Sequence, residues 1–446
     1  MSKTAKIKYA GLIFVLLTFF VLIDQQGGPI IAADSDKTFQ KIKIFGEALS
    51  EIQKKYVEDK DSKDLIYGAI KGMVNTLDPH SAFLTPEEFK ELEIETTGIF
   101  SGIGIEITLK DGILTVVSPI EGSPADKAGL RAGDKILQIN EKSSKNMSLT
   151  DAVRLIRGTR GTKVNLTILH EGEKETQKYS ITREVIPIKS VKSKNLEENY
   201  GYIRISTFQD KTTEDFQAAL KKLEATKGGL KGLVLDLRND PGGLLNEAVK
   251  IADEFLETGL IVYTQGRIKD QNLKFNAHPN KIPKNYPIVV LVNEGSASAS
   301  EIVAGALQDQ KRAIILGTPT FGKGSVQTII PLDDGSGLKL TTARDLTPNG
   351  RSIQAKGIVP DILVKGKPVK KGETKEKEPR MLREKDLERH MEEEVKTKEP
   401  ADGKEIPTES KKPPAEEEAD DPQLASALHL LKSWGVFSQV FKPAVP

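Results

Sequence analysis

Over the middle of the chain, short and mostly apolar runs alternate with stretches whose apolar residues recur every three or four positions. Tyr200 to Ile205, Gly232 to Leu237, Ile288 to Val292 and Ala313 to Leu316 have the length and composition of buried strands. Thr213 to Ala225, Leu244 to Leu256 and Ser298 to Gln310 carry the helical period. Strand and helix in alternation predict a βαβ-type core, and Ser325 to Leu332 with Leu338 to Ala343 predict two antiparallel strands after it. Upstream, Gly98 to Ile107 opens a mainly β module. Gly112 to Val117, Ile136 to Ile139 and Val164 to Leu169 read as its strands, Ser123 to Asp134 as a short helix and turn, and Leu149 to Ile156 as an amphipathic helix ending at Arg157-Gly158. Earlier still, Phe39 to Tyr56 and Ser62 to Asn75 predict amphipathic helices whose apolar stripes need a partner.

The two ends follow different patterns. Lys3, Lys6 and Lys8 precede an uncharged apolar run of 15 residues, Tyr9 to Ile23, with an imperfect cleavage site at Ile31-Ala-Ala33. This predicts a signal peptide or an N-terminal anchor and places the rest of the chain outside the cytoplasm, with association with the inner membrane through the N-terminus as one form of it. From Gly366 to Asp421 the chain is a Lys/Glu/Pro tract too poor in apolar residues to fold alone, read as a tether with Met381 to Val395 as a solvated helix. Gln423 to Lys432 is amphipathic again. The expected partition is 1–33 leader or anchor, 38–95 helical region, 97–186 β module, 187–365 core, 366–421 linker and 422–446 C-terminal helix.

Composition narrows the chemistry. The 446 residues include no cysteine, so disulfides and thiolate catalysis are excluded. Five histidines, His80, His170, His278, His390 and His429, stand far apart without metal-ligand spacing, so no metal site and no cofactor are expected. With 65 basic against 64 acidic residues and no basic block interleaved with aromatics, nucleic-acid binding has no support.

The candidate chemistry lies in NEGSASASEI, Asn293 to Ile302, and TFGKGSVQTI, Thr320 to Ile329. The first links a buried strand to a helix, a turn that aims free N–H groups and a helix N-terminus at one small volume where an oxyanion is held. Ser296, Ser298 and Ser300 alternate there, and spacing does not choose among them. Lys323 between two glycines is a candidate base. Its unperturbed pKa near 10.4 must then fall by about three units, which burial against the surrounding apolar runs supplies. Gln327, four residues on, is placed to orient the amine. Asn239-Asp-Pro-Gly-Gly243 after the strand at Leu233 to Arg238 offers glycine N–H groups to a ligand. Read blandly, the serine is a helix cap and the lysine sits in a solvated turn.

Both stretches resemble the active-site motifs of the C-terminal processing (tail-specific) proteases, serine peptidases with a Ser-Lys dyad. The resemblance implies Ser298 as nucleophile, Lys323 as general base, Gln327 as the lysine-positioning amide and the N–H of Ala299 as one oxyanion donor. DLRNDPGG is similar to the family's DLRxNPGG-like motif, which implies Gly243 as the second donor. Asn239-Asp240 departs from that motif and leaves Gly242 open. The β module resembles a PDZ domain, on SPADKAGLRAGD, and implies that Ser101, Gly102, Ile103 and Gly104 hold a peptide's terminal carboxylate. Leu77 to Glu87 resembles the segment before that domain, where His80 reads as structural, and Gly357 to Asp361 the close of the core.

The implied fold class is an α/β protease core, a βαβ crotonase-like or ClpP-like sandwich, with an inserted mainly β PDZ domain and flanking helical segments. The implied activity is cleavage of proteins near accessible C-termini by a homodimer; whether the PDZ-like module gates or only delivers is left open, gating resting on Arg157, which ends the module's helix and is placed to bridge to the core. Two other readings are a non-catalytic PDZ adaptor and a crotonase-like acyl-transfer enzyme with Glu301 as its acid or base. Ser336-Gly-Leu-Lys339 falls at a hairpin and is set aside as a second Ser-Lys pattern.

Overall fold

The apolar stripes of the N-terminal region lie on two helices, α1 (Ile30–Lys55) and α2 (Ser62–Val74). Phe39, Ile42, Phe45 and Ile52 recur along one side of α1 and remain exposed. The computed structural model describes residues 30–280, 283–366, 382–392 and 421–440, with side chains from 38 to 436. The described residues up to Met73 form one compact unit and those from Val74 onward a second. The expected leader at Tyr9 to Ile23 lies outside the described residues, among which no helix is long and apolar enough to cross a membrane.

The second unit opens with β1 (Ala82–Leu84) and α3 (Pro86–Thr97). Thr85 starts α3 with a capping box, its hydroxyl accepting from the N–H of Glu88 (3.3 Å) while the Glu88 carboxylate accepts from that of Thr85 (2.8 Å). The β module follows as β2 (Ile99–Gly102), β3 (Ile105–Lys110), β4 (Ile113–Pro119), α4 (Pro124–Lys127), β5 (Lys135–Ile139), β6 (Lys142–Ser143), α5 (Leu149–Ile156), β7 (Lys163–Leu169), β8 (Thr176–Thr182) and β9 (Glu184–Pro187). Its sheet runs β3-β4-β5-β7-β8, with β6 on β5, and β2 pairs separately with β9. Val164, Leu166 and Ile168 alternate into a core shared with Ile103, Leu114 and Ile136. His170, buried, bonds Asp134 (2.7 Å) and the Tyr179 hydroxyl (2.8 Å), a satisfied structural histidine.

The predicted strand and helix alternation is found in the remainder, β10 (Val191–Asn195), β11 (Tyr200–Ile205), α6 (Thr212–Glu224), β12 (Gly232–Asp236), α7 (Leu245–Asp253), β13 (Leu260–Gly266), β14 (Lys274–Asn276), β15 (Ile288–Val292), α8 (Ala299–Asp309), β16 (Ile314–Gly317), β17 (Ser325–Pro331), β18 (Gly337–Leu346), β19 (Ile362–Leu363) and α9 (Pro422–Val440). A six-stranded sheet runs β10-β11-β12-β15-β16-β19, parallel from β11 onward. Each strand feeds both faces. Ile288, Val290 and Val292 of β15 pack with Phe216 of α6, Ile251 of α7 and Val303 of α8, whereas Val289 and Leu291 meet Ala427 and Leu431 of α9. An antiparallel sheet, β1-β18-β13-β14, carries the hairpin strand β17 on β18.

The charged tract needs a correction. Residues 382–392 are neither a tether nor a solvated helix: Glu384 to Asp386 make a single tight turn, and Glu384 is fully buried. Composition averaged over the tract hides this, because the buried charge is matched by specific polar partners in the core. Arg238, at the end of β12, likewise anchors α9. It donates to Asp236, to Asp421 (2.9 and 2.7 Å) and to Gln423 (2.9 Å). Replacing Arg238 with Ala takes the nearest cation from the buried Asp236, which keeps the Tyr202 hydroxyl (2.7 Å) and Arg204 (3.5 Å), and removes the tie to Asp421 and Gln423; the expected loss is about 3 kcal/mol. Urea unfolding reads it as a lower midpoint at unchanged slope.

Candidate active site

The turn between β15 and α8 is pinned to the turn after β12 by two asparagines. Asn293 Oδ1 accepts from the N–H groups of Asn239 (2.8 Å) and Gly295 (3.1 Å), and Asn293 Nδ2 donates to Asn239 Oδ1 (2.8 Å). The structure separates the three serines that spacing left equal. Ser296 and Ser300 are fully buried and donate to the carbonyls of Leu237 (2.7 Å) and Asp240 (3.1 Å). Ser298 is half-buried at φ 54°, ψ −112°, and its hydroxyl caps no helix N–H. A serine held in that sparsely populated backbone region is strained, and the bonds around the turn keep it there.

The glycine turn fits against it closely. At Gly242, φ 101°, a Cβ would lie 2.9 Å from Ser298 Cβ, and at Gly243, φ 142°, only 2.1 Å from the carbonyl oxygen of Phe208. Side chains are excluded at both. The N–H of Gly242 donates to Asp240 Oδ1 (2.9 Å). Those of Gly243 and Ala299 find no acceptor among the described residues.

Glu301 joins the serine turn to the lysine loop. Fully buried in the first turn of α8, it accepts from the N–H of Ser298 (2.8 Å) and of Lys323 (2.9 Å) at Oε2, and from the N–H of Gly322 (2.8 Å) and the hydroxyl of Thr320 (2.5 Å) at Oε1. It was visible in the sequence only as a candidate acid or base for acyl chemistry. Here both its oxygens are committed to donors within the protein.

Lys323 and Ser298 line one cavity of about 350 Å³, together with Gly243, Ala299, Gln327 and Asp345. No direct hydrogen bond joins the serine hydroxyl to the lysine amine among the described residues. Burial pulls the Lys323 ammonium below its usual range, helped by Lys339 and opposed by Glu384, Asp345 and Glu301. Gln327 lines the same cavity as Lys323; its amide nitrogen donates to Ser325 Oγ (2.9 Å) and Thr341 Oγ1 (3.3 Å), and no hydrogen bond joins it to the lysine amine among the described residues. Asp345 was not singled out from the sequence. Burial pushes it up to about 7, against the pull of Lys323, and its Oδ1 has no partner. Leu92, Glu95 and Thr96 of α3 also line the cavity, a contribution that no sequence pattern signals.

In the β module, β3 is an edge strand, with α5 packed beside it. That is the geometry for accepting an added strand. Of the four expected carboxylate-loop residues, Ser101 and Gly102 are paired with β9, and Ile103 is fully buried, with its carbonyl accepting from Ala125 (2.9 Å). Gly104 turns the chain at φ 75° and its carbonyl accepts from Ile120 (2.9 Å). Arg157 meets α3 rather than the sheets of the core: it pairs with Glu91 and stacks on Phe100 at 5.0 Å.

The fold and the residues gathered in this cavity define a serine-type peptidase carrying a peptide-binding module. Models described as "Peptidase family S41", "PDZ domain" and "Activating protease CtpB N-terminal domain" match residues 199–364, 115–169 and 23–88. The chain is 45% identical over 337 residues to the carboxy-terminal-processing protease of Bartonella bacilliformis, spanning 75% of this chain and 77% of that protein. It is 40% identical over 337 residues to the carboxy-terminal processing protease CtpA of Bacillus subtilis, spanning 75% and 71%. A solved structure, the photosystem II D1 C-terminal processing protease, is 34% identical over 72% of this chain and 92% of that one, with a TM-score of 0.43. The chain belongs to peptidase family S41.

Burial also pushes Asp240 and Glu301 up to about 7, although hydrogen bonds to each act the other way. Asp240, Glu301 and Asp345 therefore bind a proton more tightly folded than unfolded. The sign follows: the contribution of these three groups to stability is fully present below about pH 4 and is lost as pH rises toward about 7, by up to about 4 kcal/mol for a single fully buried Asp. Asp240→Asn is expected to match the wild type in melting temperature below about pH 4 and to exceed it at pH 8, as read by thermal unfolding across pH.

Proposed function

We propose that the protein is a Ser-Lys endopeptidase that engages the C-terminus of a protein in its PDZ domain and cleaves near that end. The observation that carries the reading is the strained, half-buried Ser298, which faces the same cavity as a lysine whose charge burial disfavours. Ser298 Oγ attacks the scissile carbonyl carbon as its proton passes to neutral Lys323 Nζ. The N–H groups of Ala299 and Gly243 receive the oxyanion. Collapse breaks the C–N bond, Lys323 returns the proton to the leaving amine, and water then hydrolyses the acyl-enzyme with Lys323 again as base. The commitment of the Gly242 N–H to Asp240 favours Gly243 as donor. A change of rotamer in the long Lys323 side chain, on a fixed loop, closes the amine onto the serine, since catalytic hydrogen bonds tighten in the substrate complex.

The remaining assignments have their own support. Two facing sheets with helices α6 to α8 fit a crotonase-like sandwich, the exposed stripe of α1 fits a homodimer contact, and the basic and apolar N-terminus fits export, as a cleaved leader or an anchor. The edge strand β3 and the loop from Ser101 to Gly104 fit capture of a free carboxylate.

Cleavage of an unstructured tail peptide tests the chemistry and the recognition together. Ser298→Ala and Lys323→Ala are each expected to lower kcat by on the order of a thousandfold or more without moving the melting temperature by more than a degree or so. Amidation of the peptide's terminus is expected to raise KM while leaving kcat nearly unchanged. Turnover by Lys323→Ala at the wild-type rate removes the dyad; equal KM for both peptides removes carboxylate recognition.

A further inference from the structure

A charged side chain with no solvent exposure, in a tract otherwise of tether composition, is an expensive feature unless it has a task. Glu384 is such a residue. Its carboxylate meets His80 Nε2 at 2.8 and 2.9 Å and accepts from Gln354 Nε2 (2.7 Å). Gln354, itself fully buried, accepts from the N–H of Gly324 (3.1 Å), next to Lys323. The backbone N–H of Glu384 donates to the carbonyl of Phe321 (3.2 Å), and Arg383 Nη2 donates to those of Thr320 (2.7 Å) and Lys356 (3.1 Å). The loop from Thr320 to Gly324 is thus gripped on one side by Glu301 and on the other by two consecutive residues of the charged tract.

We propose that residues 382–387 are a clamp on the catalytic loop, with Glu384 and Arg383 as positioning residues for Lys323. The inference rests on Lys323 being the base. A Gly-Lys-Gly loop is intrinsically mobile, and a base displaced by an ångström loses much of its rate, so the loop has to be over-determined from both sides. The clamp acts on turnover rather than on tail binding, because none of its contacts reaches the PDZ domain. The charged groups facing Lys323 are Lys339 and Asp345 of β18, Glu301 of α8 and Glu384 of the clamp. Glu384 is the one that comes from outside the folded core motifs.

Two variants of the full chain test the clamp on a tail peptide, with Lys323→Ala measured in parallel. Glu384→Gln keeps the shape and an acceptor for Gln354 but removes the negative charge that favours the ammonium, so the ascending limb of kcat/KM against pH is expected to move to lower pH. A purely structural role would leave that limb in place. Arg383→Met removes the bonds to the loop carbonyls and is expected to lower kcat about tenfold with KM within about twofold. A Glu384→Gln limb superimposed on the wild type's, or an Arg383→Met kcat equal to the wild type's, overturns the proposal. A fully active Lys323→Ala overturns instead the assignment of the base, so the two failures are told apart.

Discussion

The carboxylate of Glu301 is the constraint on which the site is built. A nucleophile and a base on separate loops keep a useful separation only if something rigid spans them, and a single oxygen of Glu301 accepts from the backbone of Ser298 and of Lys323 at once. Its other oxygen takes Gly322 and Thr320, leaving no donor of that loop's entry free to wander. The helix start adds to the fit. A negative group in the first turn of α8 is favoured by the helix dipole, which offsets part of the cost of burying it. The strained backbone of Ser298 is affordable because the N–H that would otherwise pull the residue toward ordinary geometry is tied to the same group.

Desolvation then acts on the buried titratable groups at and beside the cavity, in one direction for acids and the other for bases. The burial that lowers Lys323 raises Asp240, Glu301 and Asp345 to about 7. A carboxylate beside an amine favours its ammonium, and Glu384, Asp345 and Glu301 all act on Lys323 in that sense. Burial weakens the hold of Asp345 and Glu301, because it disfavours their charged forms as well.

Much of the architecture was legible because it follows from periodicity. The strands of the parallel sheet are apolar on both faces since α6 to α8 cover one and α9 the other, which is why they read as continuous runs. The site was legible only in part. Choosing Ser298 over Ser296 and Ser300 requires knowing that the latter two hydroxyls reach carbonyls on the neighbouring turn, and such contacts span about sixty residues of sequence. Gln327 lies on the cavity that Lys323 lines, as its four-residue spacing suggests, but its amide nitrogen is spent on Ser325 and Thr341, and the Thr341 partner on the neighbouring strand has no local signal. Glu384 was invisible for a third reason: among so many Glu and Lys residues, one acid with buried partners has no local signature. His80 read as structural and is, but its partner lies some three hundred positions away in that same tract.

The position of α3 sets how strongly peptide recognition can act on chemistry. One side of this helix contributes Leu92, Glu95 and Thr96 to the cavity, while Glu91 pairs with Arg157 at the end of the PDZ helix α5. Coupling between two sites is limited by the difference in contact energy between the two states. Glu91 is more than half exposed, so the pair contributes at most about 1 kcal/mol after screening, and the stacking of Arg157 on Phe100 adds a similar amount at most. Together these shift a two-state equilibrium by roughly thirtyfold at the upper limit and by much less with salt present. A bias of that size is enough to grade a two-state equilibrium and too small to throw it fully to one side. Complete silencing without substrate would need the buried elements, the Glu301 bridge or the clamp at Glu384, to change state as well, and each of those is held by several bonds.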